Sequence, residues 1–255
     1  MKELRLNIPT ATHQLNPRQL KAISWLFLMG IPETEFLVKA FLFLSGLKLY
    51  TRNQQPATSN QHLFTHKSIK TPFIIDPDLL SEMAKQCSFL LTPEEVKPIR
   101  CIRFARARHF RLYNATFEEY LMAENYYFAY TETKLPEHLD NLIAVLYRLP
   151  WHRWNSAKIQ SRARWFRRVD PAIKNSVFMW YTGFRAFVPK RCPQLFTGKK
   201  SLKAFNPRNY INGMVHQLSN GDITIKNKLL QQSCWDALDE MEQRAIEADA
   251  IKSPH

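Results

Sequence analysis

The chain holds only six glycines in 255 residues, against fifteen prolines. Proteins that cradle phosphate on glycine-rich loops cluster their glycines, because only glycine lets the backbone approach the ligand closely. None of the patterns GxSxG, HExxH, GxGxxG or DxDxDG occurs, so the common hydrolase, zinc-protease, dinucleotide and calcium-loop chemistries have no anchor. The stretch TGKKS at 197–201 resembles the end of a phosphate-binding loop, without its earlier glycine.

Paired cysteines are missing too. Cys87, Cys101, Cys192 and Cys234 are widely separated and form no CxxC, which argues against a zinc ribbon or a disulfide framework. Reduced, buried thiols are the expectation, with a cytoplasmic compartment. Long apolar runs are also lacking. Residues 23–50 are the most apolar stretch, but Gly30, Pro32, Glu33, Glu35 and Lys39 interrupt it. Neither half reaches the roughly 20 residues that cross a bilayer. The first fifteen residues carry no apolar run of the signal-peptide kind. No membrane span, catalytic residue, metal or cofactor is expected.

What is present is a folded chain, 45% hydrophobic and 13% aromatic, too apolar for a disordered one. Its fold class is read as mainly α, a multi-helix domain with helical hairpins and room for a short strand pair. The division expected is an N-terminal helical segment at 1–50, a polar linker or loop at 51–72, and a main helical domain at 73–255 with an acidic C-terminal helix.

The clearest pattern lies at 112–148. Thr116 with Glu119 three residues on is a capping box, and Pro136 suits the first turn of a second helix. Leu139, Leu142, Ile143, Leu146 and Tyr147 then form one apolar stripe. Asn16-Pro17 and Asp76-Pro77 start helices in the same way, with further helices from Pro32 to Gly46 and from Pro171 to about Val188, closed by Pro189 and Pro193. Asn206-Pro207 opens another. Thr224 is read as the cap of a last helix running through Trp235 and Met241. Residues 99–111 carry five arginines and fit either a short strand or a basic helix. His62 and His66 have metal-ligand spacing if helical, but no third ligand is near.

Charge is unevenly spread. Net charge is +14 overall, yet 116–147 is an acidic island between basic arms at 99–111 and 148–168. Between positions 148 and 168 stand Arg148, Arg153, Lys158, Arg162, Arg164, Arg167 and Arg168 with no acid, interleaved with Trp151, Trp154 and Trp165. Basic and aromatic side chains together can hold phosphates while stacking on bases; the plain alternative is tryptophans packed inward and charges facing water. The acids Glu118, Glu119, Glu124 and Asp140 could serve a metal nuclease. A solvated helix face, or internal counter-charge to the basic arms, explains them more simply, and Glu124, on the apolar face, is expected at the stripe edge paired with an arginine.

Several short phrases resemble a family of phage and prophage proteins. They are residues 112–113, 116–120, 123–124 and 142–148, then YTGFR at 181–185, CPQLF at 192–196, and GDIT at 221–224 leading to Ala237-Leu238. Their order is similar to small tail-assembly or tail-completion proteins encoded near tape-measure genes. The arginines before the hairpin exceed that family's pattern. The resemblance implies a helical, non-enzymatic assembly protein that binds other phage components, in the host cytoplasm or on the virion. The alternative from the residues themselves is a nucleic-acid-binding protein using 148–168: Arg148, Arg153, Trp154, Lys158, Arg162, Arg164, Trp165, Arg167 and Arg168. A membrane-surface role for 23–50 is a third reading.

Overall fold

The structure is a computed structural model that describes residues 6–49, 62–92, 94–150, 153–196, 213, 215–216, 219 and 222–252. The protein is mainly α, with two small three-stranded antiparallel sheets among the described residues. The chain forms two compact units, Met1–Lys97 with Pro171–Met179, and Pro98–Asp170 with Trp180–His255. No described helix is long and apolar enough to cross a membrane.

The first unit begins with α1 (Pro17–Leu28) and α2 (Glu33–Ser45). Asn16 accepts from the Arg18 and Gln19 amides, and the Gln19 side chain returns a bond to the Asn16 amide. This reciprocal cap satisfies N–H groups that the first turn would otherwise leave open. Gly46 ends α2 at φ +74°, a left-handed position where glycine has no Cβ to strain. Next come β1 (Lys48–Leu49), β2 (His62–His66) and β3 (Ile69–Ile75), in that spatial order. Pro72 sits on β3, an edge strand, where a missing N–H breaks no ladder. Helix α3 (Pro77–Ala84) follows, capped by Asp76, and runs into a 3-10 turn, Lys85–Leu90. Ile23, Phe36, Ala40, Phe41, Phe64, Cys87 and Leu90 are buried.

Residues 62–72, expected within a polar loop, are thus mostly strand; 51–61 lie outside the described residues. A strand also changes the reading of His62 and His66. At about 3.3 Å per residue their backbones stand roughly 13 Å apart along β2, too far to share a metal as successive helical turns would.

The second unit opens with β4 (Cys101–Ile102) and β5 (Ala105–Ala107), joined by a tight turn in which Arg103 takes φ +54°. The arginine-rich stretch is therefore strand rather than helix. Helices α4 (Phe117–Thr133) and α5 (Pro136–Leu146) make the expected hairpin, and α5 passes directly into β6 (Tyr147–Arg148), which pairs with β5. A 3-10 turn, Ser156–Lys158, leads to α6 (Ile159–Ala163). Helix α7 (Pro171–Arg191) gives Pro171–Met179 to the first unit and the rest to the second. Pro189 does not end α7; it forgoes one backbone bond two residues before the end. Then come α8 (Pro193–Phe196), α9 (Ile223–Gln231) and α10 (Cys234–Lys252).

The last expected helix is therefore two, and Asp222, not Thr224, caps the first. The break has a physical cause. Phe117 donates its amide to Gln232 O and Cys234 donates to Ala115 O, so residues 232–234 are drawn into a bridge with the start of α4 and cannot stay helical. The Asn206-Pro207 helix start and TGKKS fall outside the described residues. Leu142, Ile143, Tyr147, Trp180, Tyr181, Phe184 and Trp235 are buried in this unit.

Candidate functional site

The solvated helix face, one of the two simple readings of the clustered acids, fails for three of the four. Glu119, Glu124 and, on α5, Asp140 are all buried. Glu119 is the returning arm of the Thr116 capping box, accepting from the Thr116 amide at 2.8 Å through Oε2. Its other oxygen, Oε1, receives Nη2 of Arg108 and, at 2.9 Å, Nη2 of Arg148. One arginine comes from each basic arm, so the acid is internal counter-charge. The geometry follows from the small sheet: β5 and β6 are paired with Arg106 opposite Arg148, which brings the two arms together beside the first turn of α4.

A third guanidinium, Arg162 on α6, joins this group. It is 9% exposed, donates from Nη2 to Asn155 O at 3.1 Å, and lies 5.0 Å over the Trp154 ring. Arg148 lies 5.8 Å from the same ring, and the Trp154 indole donates to Glu118 at 2.6 Å. Burial lowers the pKa of Arg162, and Arg148 and Arg108 lower it further against the pull of Glu119. Arg148 is lowered for the same leading reason, burial, with Glu119 opposing. Arginine stays charged regardless, so these shifts register the cost of crowding like charges in a poorly hydrated place. The Nε atoms of Arg108, Arg148 and Arg162 are buried and have no hydrogen-bond partner.

Beside this cluster is a cavity of about 260 Å³ lined by Leu149, Arg153, Lys158, Ser161, Arg162 and Trp165. It holds three cations and no acid. Arg153 and Lys158 are exposed, and Trp165 is 51% exposed.

The nine basic and aromatic residues singled out from the sequence therefore separate. Arg148, Trp154 and Arg162 turn inward to the Glu119 group, while Arg153, Lys158, Trp165 and the inner wall Arg162 frame one cavity. Arg164 and Arg167 line another, of about 310 Å³, with Glu137 and Asp140, where acids accompany the cations. Arg168 is exposed, and Trp151 lies outside the described residues. Leu149 and Ser161 were not picked out, and Arg108 and Glu119 were read only as part of a basic arm and an acidic island. The capping box placed Glu119 at a helix start, but nothing local in the chain says that Arg108 and Arg148 meet there.

A second buried acid offers a contrast. Glu124 accepts from Tyr181 Oη at 2.9 Å and from Arg185 Nε at 2.9 and 3.1 Å. It pairs with an arginine as expected, though at the centre of the packing and not at its edge. Arg185 is held between Tyr127 and Phe128, 4.4 and 4.3 Å from their ring centroids. Burial pushes the Glu124 carboxyl up, with Arg185 and Tyr181 opposing.

The acidic face of α10 turns to other partners than the 148–168 segment. Asp239 pairs with Arg191 at 2.6 Å, and Glu242 accepts the Gln194 and Leu195 amides at 2.9 and 2.7 Å. Among the described residues no cluster of three or more metal-ligating side chains occurs. No family model matches the chain, and neither a curated protein nor a solved structure gives a match.

Proposed function

We propose that the protein binds nucleic acid through the face that carries Leu149, Arg153, Lys158, Ser161, Arg162 and Trp165. The observation that carries this reading is the cavity in which Arg153, Lys158 and Arg162 stand with an open Trp165 and no carboxylate. The exposed Arg153 and Lys158 are available to phosphates, and the indole is available to a base. Internal counter-charge is used at Arg108 and Arg148, so the net +14 of the chain overstates the surface field, but the cavity keeps its share. Phosphate contacts release counterions, so affinity falls steeply as salt rises. A fluorescence-anisotropy titration with a labelled oligonucleotide tests this. Tight binding in low salt that weakens in moderate salt is expected; no binding in low salt overturns it.

A second reading is assembly through protein contacts, as the phage-like phrases imply. What supports it is a set of exposed apolar side chains in the first unit: Trp25, Leu28 and Met29 at the end of α1, Phe43 on α2, and Leu63 opposite Ile74 on neighbouring strands. Open apolar surface of this kind suits a protein partner. Co-purification with products of neighbouring tail genes is the expected result, and its failure with every one of them counts against this reading.

A further inference from the structure

Resting on the nucleic-acid reading, the composition of the cavity narrows the class of ligand. It is lined by Leu149, Trp165, Arg153 and Lys158, with Ser161 and Arg162, and long basic side chains combine an apolar stem with a charged head. A duplex presents phosphates and base edges, while its base faces are already stacked on one another. A half-open indole therefore offers a duplex little; its flat face is matched by the face of an unpaired base. The phosphate end is fixed by a different observation. Arg162 forms one wall, and Glu119, the acid whose charge acts on it, is already bonded to Arg108 and Arg148. Positive charge crowded in a poorly hydrated place with too little counter-charge is costly. A phosphate in the cavity supplies that counter-charge.

We infer that this cavity holds one nucleotide of an unpaired strand, its base against Trp165 and its phosphate among Arg153, Lys158 and Arg162. Arg153 and Lys158 gather the phosphate from solvent, Arg162 receives it at the wall, and the indole covers the base. Strand recognition at this point is then independent of base identity, because every base has a face to stack.

The test titrates the full chain with oligothymidylate, and with the same strand annealed to its complement, following anisotropy and tryptophan fluorescence. The single strand binds at least about tenfold more tightly than the duplex and quenches the fluorescence. Trp165→Phe keeps the affinity within a few-fold and loses most of the quenching. Trp165→Ala lowers affinity for the single strand by about tenfold to a hundredfold, the usual worth of one stacked base. Trp165 is exposed, so neither variant threatens the fold. Equal affinity for strand and duplex, or an unchanged affinity in Trp165→Ala, overturns the unpaired-nucleotide inference while leaving nucleic-acid binding in place. No binding of either form in low salt overturns both.

Discussion

Helix α4 buries two carboxylates five residues apart, and the arginines around them are arranged differently. At Glu124 one guanidinium meets one carboxylate, clamped between two aromatic rings and completed by a tyrosine hydroxyl. The charges match and the donors are used. At Glu119 two guanidiniums bond to the acid and a third stands close by, and three Nε donors are left unused. The first arrangement is complete within the fold. The second carries positive charge that the fold does not cancel, next to a cavity open to solvent. Two buried acids on one helix thus serve different ends: Glu124 fixes α4 to α7, and Glu119 holds arginines in place around a site that lacks an anion of its own.

The largest expected effect comes from breaking the matched pair. Arg185→Ala leaves Glu124 buried without its cation and should cost about 3–5 kcal/mol of stability, read by chemical denaturation. Glu124→Gln, tested at oligonucleotide level, should leave the affinity of the folded fraction unchanged. An altered affinity would end the distinction between the two acids.

A smaller stability effect and an opposite functional one are expected at the other acid. Glu119→Gln keeps an acceptor for the Thr116 amide but removes the charge facing Arg108 and Arg148. It should cost roughly 1–3 kcal/mol, the worth of charge-assisted bonds. With the counter-charge gone, single-stranded oligonucleotide should bind a few-fold more tightly, as anisotropy would show. Weaker binding would mean that Glu119 orients the arginines more than it neutralises them.

Arg153→Ala with Lys158→Ala separates the cavity from the fold. Both side chains are exposed, so stability should move by less than about 0.5 kcal/mol for each, while affinity falls and the salt slope shrinks toward zero, by up to about 0.7 for the one phosphate they share. The smallest effect is expected at Arg191 and Asp239, an exposed pair. A double-mutant cycle should return a coupling of no more than about 1 kcal/mol and no change in oligonucleotide affinity.

Where the fold is set by neighbours in the chain, the sequence was readable. Asn16 before Pro17, Thr116 with Glu119, and Asp76 before Pro77 are caps whose partners lie within three residues, and each sits where expected. Readability failed where distant backbone decides. Residues 101–107 are strand because β5 finds β6, some forty residues on, and each strand is too short for a period to show. Thr224 lost the cap to Asp222 by two positions, and the single C-terminal helix became two because Ala115 and Phe117 bond to its middle. The site was half legible. The run of cations and tryptophans marked the segment that lines the cavity, but 3.6-residue periodicity cannot say that Trp154 turns inward to Glu118 while Trp165 stays open. Nor can it gather Arg108, Arg148 and Arg162 around one acid, since that depends on a sheet of two- and three-residue strands.

The central claim is that the cations of the cavity are unspent within the fold and bind phosphate. Its most direct test is the salt dependence of single-strand affinity, measured for the unaltered chain and for the Arg153→Ala, Lys158→Ala variant. One phosphate held among the three cations predicts a log–log slope of about −0.7 for the unaltered chain and a slope closer to zero for the variant. Identical slopes, or a salt-insensitive affinity in the unaltered chain, would contradict it.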